Sequence, residues 1–254
     1  AGCICVNAQG YFRLQLGAAG SNGPEEFYHF DRFSERFTEP TDFSGRLGGG
    51  WLMETEAGYR FSENVEAGIN YARHGSNYFA ALDYAVTDSG VGITMTRVAV
   101  LNATDRIGFF GYFFIRTKKA QPFIMGGIQI LVDPDFRKLY TIDTINFGSS
   151  GLQRFSVYSE SYTGGMSIGY SIGGGIALNR DSKWCFTIKG KYTFQSWKPN
   201  RMDHSIVYNE YKREEDLAMN NPGIKVPMNS FGISIGLTYS FGDFSEVTKG
   251  PQEK

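Results

Sequence analysis

Residues 230–241 read SFGISIGLTYSF, with Phe231, Ile233, Ile235, Leu237, Tyr239 and Phe241 at every second position and Ser230, Gly232, Ser234, Gly236, Thr238 and Ser240 between them. A strict period of two belongs to a pleated strand whose two faces meet different surroundings, because a helix would scatter both sets around its axis. Residues 162–178 repeat the pattern, with Met166, Ile168, Tyr170, Ile172 and Ile176 opposite Ser167, Gly169, Ser171, Gly173, Gly175 and Ala177. Residues 183–197 repeat it again, Trp184, Phe186, Ile188, Tyr192 and Phe194 opposing Cys185, Thr187, Lys189, Lys191, Thr193 and Gln195. Earlier in the chain, residues 11–18, 46–60 and 65–71 alternate in the same way, and 123–132 is a shorter, mostly apolar strand. Residues 107–115 are aromatic on both faces, so alternation alone does not orient them. Eight strands are expected in all.

The size of the residues on the two faces decides which face points outward. A soluble barrel fills its interior with bulky apolar groups and keeps charge outside. Here the polar face is made of Gly, Ser, Thr and a few charges, which suits the cramped lumen of eight strands. The other face carries large aliphatic residues flanked by aromatics at the strand ends, as lipid contact with interfacial girdles requires. Such half-apolar strands explain how a chain with 21 Phe, 15 Tyr and 32 Gly is only 41% hydrophobic. No run of some 18 uncharged apolar residues occurs, which excludes a spanning helix. A net charge of −1 without a basic stripe argues against nucleic acid as a partner.

Connections alternate between short (residues 61–64, 117–121 and 179–183) and long (20–45, 75–105, 133–161 and 199–229). That alternation predicts an all-β, antiparallel up-and-down transmembrane β-barrel with four long extracellular loops, short periplasmic turns and both termini periplasmic. Within the second long connection, residues 77–86 and 91–101 are candidate strand extensions. Residues 1–9 read as a signal-peptide remnant or N-terminal extension, 10–242 as the barrel and 243–254 as a periplasmic tail. Val6-Asn7-Ala8 has the small-residue look of a cleavage site, while Ala1-Gly2-Cys3 offers a lipidated Cys3 as the alternative. Cys185 then has no evident partner.

The stretches YRFSENVEAGINYA, PFIMGGI, GYSIGGGIALNRDSKWCFTIKGKYTF and SFGISIGLTYSF resemble the strand-and-turn units of the small eight-stranded outer-membrane β-barrel family. The final Tyr239-Ser240-Phe241 is similar to the aromatic-terminated strand by which such chains are recognised for insertion, although a polar tail follows it. The resemblance implies a bacterial outer-membrane protein. It leaves activity open, since structural proteins, adhesins, assembly subunits and a few lipid-modifying enzymes share this architecture.

Three groups of residues are candidate sites. His74 and Ser76 resemble the His-x-Ser-Asn of outer-membrane lipid A deacylases, in which histidine activates serine. The orienting glutamate of those enzymes has no counterpart, because none lies between Glu66 and Glu160. Arg13, Glu54, Glu56, Arg60, Glu66, Lys189 and Lys191 fall on the inward face and are expected to pair across the lumen, in the half nearer the short turns. Phe27, Tyr28, Phe30, Arg32, Phe33, Tyr208, Tyr211 and Arg213 place aromatic and arginine side chains on long loops, the residue types that make protein contacts. Residues 208–217 have the composition for one or two helical turns. No cofactor and no metal spacing is legible. The expected role is a non-enzymatic structural or assembly component in contact with outer-membrane lipids, lipopolysaccharide and other outer-membrane proteins; a lipid hydrolase and a small-solute pore are the alternatives.

Overall fold

The computed structural model describes residues 9–21, 50–75, 77–86, 91–117, 120–146, 152–208 and 214–241. Their strands are, in chain order, β1 (Gln9–Ser21), β2 (Gly50–Arg60), β3 (Val65–His74), β4 (Asn77–Val86), β5 (Val91–Leu101), β6 (Thr104–Phe114), β7 (Ala120–Val132) and β8 (Asp135–Asn146). There follow β9 (Leu152–Thr163), β10 (Ser167–Leu178), β11 (Trp184–Trp197), β12 (Arg201–Tyr208), β13 (Glu214–Asn220), the two-residue β14 (Val226–Pro227) and β15 (Ser230–Phe241).

Eight of these form a closed antiparallel ring in the order β1, β2, β3, β6, β7, β10, β11, β15 and back to β1. Closure leaves no strand edge to lipid, which is the condition for a sheet to cross a bilayer. The seam between β1 and β15 runs in register from Gly10↔Phe241 to Ser21↔Ser230. Alternation sorts the side chains as their sizes require: Ile69, Ile124 and Phe109 are each more than 60% exposed on the outside, whereas Gln15, Glu54, Asn70, Arg106 and Gln129 are buried within. Exposed Tyr59, Phe61, Trp184 and Phe241 ring the end that carries the short turns; exposed Trp51, Phe194 and Phe231 ring the other.

Strand β6 resolves the orientation that its sequence left open. Ile107, Phe109 and Phe113 face outward while Arg106, Phe110, Tyr112 and Phe114 point into the lumen. Space for the inward rings comes from neighbouring glycine: a Cβ on Gly127 would collide with the ring of Phe110.

Three of the four long connections are not simple loops; the first, 20–45, lies outside the described residues beyond residue 21. β4–β5, β8–β9 and β12–β13 are hairpins that pair with one another into a six-stranded sheet, ordered β13, β12, β9, β8, β5, β4. Each of β3, β6, β7, β10 and β11 is thus followed or preceded within a few residues by a strand of this second sheet, in the same lateral order. Between β9 and β10 the break falls at Gly164 and Gly165, with φ of 68° and 86°, a conformation that costs glycine little; residues 162–178 are therefore two strands rather than one. The helical turns expected over residues 208–217 are also corrected. Tyr208 ends β12, residues 214–217 lie in β13, and Val207 pairs with Glu214, so cross-strand hydrogen bonding outweighs local helix propensity.

Candidate functional site: the barrel lumen and its mouth

At the turn end, inward-facing positions from several strands build one network. Glu56 on β2 accepts hydrogen bonds from Tyr11 Oη (2.5 Å), from Tyr112 Oη and from Arg13 Nη1 (3.3 Å). Arg13 extends through Nη2 to Glu66 (2.9 Å) and through Nε to Thr238 Oγ1 (2.9 Å), linking β1 to β3 and β15. Glu66 also accepts from Arg60 Nε (3.1 Å) and Arg180 Nε (3.0 Å). Arg180 comes from the turn between β10 and β11 and reaches inward, its guanidinium 3.7 Å from the Phe114 ring centroid and 3.1 Å from Gln121 Oε1. Burial pushes its pKa below the ordinary arginine value, with Glu66 opposing that shift. Around these charges pack Phe110, Tyr112, Phe114, Phe123, Met125, Ala177 and Cys185.

Halfway up the lumen a second network centres on Glu54, whose two carboxylate oxygens are taken by Lys189 and Lys191; Lys189 also reaches Gln15. All three charged groups are essentially sealed from solvent, with side-chain exposures of 1% for Glu54, 1% for Lys189 and 3% for Lys191. Gln129 and Gln195 bridge β7 and β11 at 3.3 Å, and Arg106 Nη1 lies 3.0 Å from His74 Nε2.

Above that level the lumen turns apolar. Leu131, Phe136, Tyr162, Trp197, Val226 and Met228 form a buried cluster drawn from both sheets and from the segment that precedes β15. Met228 N donates to Gln195 O (2.9 Å), β14 pairs with the last residues of β11, and Trp197 Nε1 donates to Gly164 O (2.7 Å). The cluster sits at the ends of β7 and β11 that lie away from the short turns.

A closed ring with an apolar exterior, two aromatic girdles and a polar interior has only one kind of surroundings in which every side chain is satisfied. The fold is that of a small eight-stranded outer-membrane β-barrel. The chain is integral to that membrane. No protein-family model matches the sequence, and no curated protein matches it. Among solved structures it is similar to Neisserial surface protein A (13% identity, 92% of this chain and 97% of that one, TM-score 0.40). It is also similar to a major outer membrane protein from Thermus thermophilus (9% identity, 91% and 99%, TM-score 0.41). A third is the outer membrane protease OmpT from Escherichia coli (8% identity, 95% and 99%, TM-score 0.38). At these values the likeness lies in the barrel architecture, and no residue role is carried over.

The structure gathers all seven expected lumen charges inside the barrel, but in two groups. Arg13, Glu56, Arg60 and Glu66 meet at the turn end, while Glu54, Lys189 and Lys191 lie farther up than expected. The reason is register: Glu54 pairs with Gln15 at the middle of β1 and with Ala72 two residues from the end of β3. His74 faces the lumen, buried against Arg106, and Ser76 lies outside the described residues. Phe27, Tyr28, Phe30, Arg32, Phe33, Tyr211 and Arg213 also lie outside them; Tyr208 closes β12 opposite Ser156.

Sequence reasoning missed Tyr11, Tyr112, Arg106 and Arg180. Tyr11 was within reach, since it shares the inward parity of Arg13; Arg106 and Tyr112 were not, because β6 is aromatic on both faces and only the structure shows which side is inward. Arg180 was not, because its reach depends on the conformation of a turn in which Asn179 adopts φ of 57°.

Proposed function

We propose that this barrel is a non-enzymatic structural or assembly component of the cell envelope, with its hairpin end facing away from the cell. One observation carries the reading: the lumen is filled by charged networks with an apolar cluster at the ends of β7 and β11, while the strands continue past the barrel into a broad six-stranded sheet. A lumen so occupied has little to offer a diffusing solute. A rigid sheet standing beyond the lipid belt, by contrast, offers a surface on which another protein or lipopolysaccharide sugars can rest. Around the exposed belt the contacts are outer-membrane lipids.

The test is purification of the tagged barrel from detergent-solubilised outer membranes. Another envelope protein in fixed proportion supports the proposal, more so if removing the β12–β13 hairpin abolishes the association. Recovery of the barrel alone, with a lipid A deacylating activity lost on Ser76→Ala, would replace it by the hydrolase reading.

A further inference from the structure

The charge in the lumen does not balance. Around Glu54 stand three cations, Lys189, Lys191 and Arg106, and only the two lysines bond its carboxylate. Arg106 is fully buried; among the described residues its one hydrogen-bonding neighbour is His74 Nε2, and Nε and Nη2 have no partner there. Those two atoms are the edge of the guanidinium with parallel N–H bonds, the fork that grips an oxyanion or shares a halide. Arginine can only donate, so His74 Nε2 must accept, and the ring proton sits on Nδ1. His74 Nδ1 is likewise buried and unpartnered. Because Nε and Nη2 form the guanidinium edge opposite Nη1, the fork of Arg106 on β6 faces away from His74 at the end of β3, and its two donors are buried with nothing to bond. Asn70 Oδ1 and Gln129 Oε1, on the strands either side of β6, are unpartnered acceptors at nearby register positions.

We infer that the upper lumen is a binding site for a small inorganic anion, halide or hydrogen phosphate, held by the Nε/Nη2 fork of Arg106. A buried cation with no counter-charge is among the least tolerable groups in a folded protein, and a bound anion both neutralises it and takes the idle donors. Asn70 and Gln129 supply acceptors for the proton of hydrogen phosphate or for water carried in with a halide. Leu131, the β7 register partner of Arg106, belongs to the buried apolar cluster, which bounds the site on that side.

The experiment is refolding of the purified chain from urea into detergent micelles in sodium bromide, sodium phosphate or the salt of a bulky organic anion, at equal ionic strength. Small anions should raise the unfolding midpoint, and above saturation each tenfold rise in anion should multiply the folded-to-unfolded ratio about tenfold. Crystals grown in bromide should show an anomalous peak at the Arg106 fork. Arg106→Met should abolish the anion dependence. A rise in bromide alone identifies a halide-sized site, and a rise in both salts one that admits the oxoanion. Equal midpoints in all three salts, no bromide peak, or an undiminished salt effect in Arg106→Met each overturn the inference. The bromide peak is read on the wild-type protein, so the test stands even if Arg106→Met does not fold.

Discussion

Replacing Glu54 by Gln keeps the shape of the side chain and removes the one carboxylate that Lys189 and Lys191 share. Both ammonium groups stay in place, at 1% and 3% side-chain exposure, with no water to solvate them. Breaking one buried ion pair by removing a partner costs about 3–5 kcal/mol, because the surviving charge is stranded in a medium of low polarity. Two stranded cations would cost more, but one can shed its proton, so a loss of about 4 kcal/mol is expected. That is a fall of about a thousandfold in the folded-to-unfolded ratio. Equilibrium urea unfolding in lipid vesicles, followed by tryptophan fluorescence and by the gel shift between folded and unfolded barrel, measures it. The triple variant Glu54→Gln, Lys189→Met, Lys191→Met should recover most of the loss, since it strands nothing. If Glu54→Gln stays within about 1 kcal/mol of the wild type, a value typical of solvent-screened pairs, the lumen is wet and the reasoning fails.

Gly127→Ala places a methyl group against the Phe110 ring and the Phe109 carbonyl, and should destabilise the barrel by about 1–3 kcal/mol in the same unfolding assay. Ile128→Arg, on the exposed face near mid-strand of β7, should cost about 2–4 kcal/mol in lipid vesicles, whereas Leu139→Arg in the second sheet should cost almost nothing. Surface proteolysis of intact cells should cut between residues 199 and 229 and spare 242–254; cleavage of the tail alone would reverse the orientation. Planar bilayers should show no steady single-channel conductance from the wild-type chain, because two layers of side chains occupy the lumen.

The ring was legible because its signal is local. Phe231, Ile233 and Ile235 differ from Ser230, Gly232 and Ser234 in every strand repeat, and the bilayer enforces that difference along the full length of each span. The second sheet was harder to read. Tyr140, Asp143 and Ser159 lie beyond the bilayer, where no single apolar phase selects one face, so period two fades even though the backbone stays extended. The same holds for residues 214–217, whose charges suit a helix and whose cross-strand partners make a strand. Of the site, the parity of Glu54 and Lys189 was visible, but their height was not, because register is set by strand pairing across the ring. Arg180 depended on turn geometry alone.

Gly10 and Phe241 are register partners on adjacent strands, so the two ends of the ring lie a strand's width apart at the end where every other connection is short. Eight junctions hold the ring, and the one without a covalent link is bonded like the rest: Arg13 reaches Thr238 across it as readily as Gly17 meets Ser234. A brief linker from Phe241 to Gln9, with the chain reopened at residues 117–121, would rewrite the order in which strands are synthesised and leave the ladder, the lumen and the belt in place. In that sense the polypeptide has a first strand, and the barrel does not.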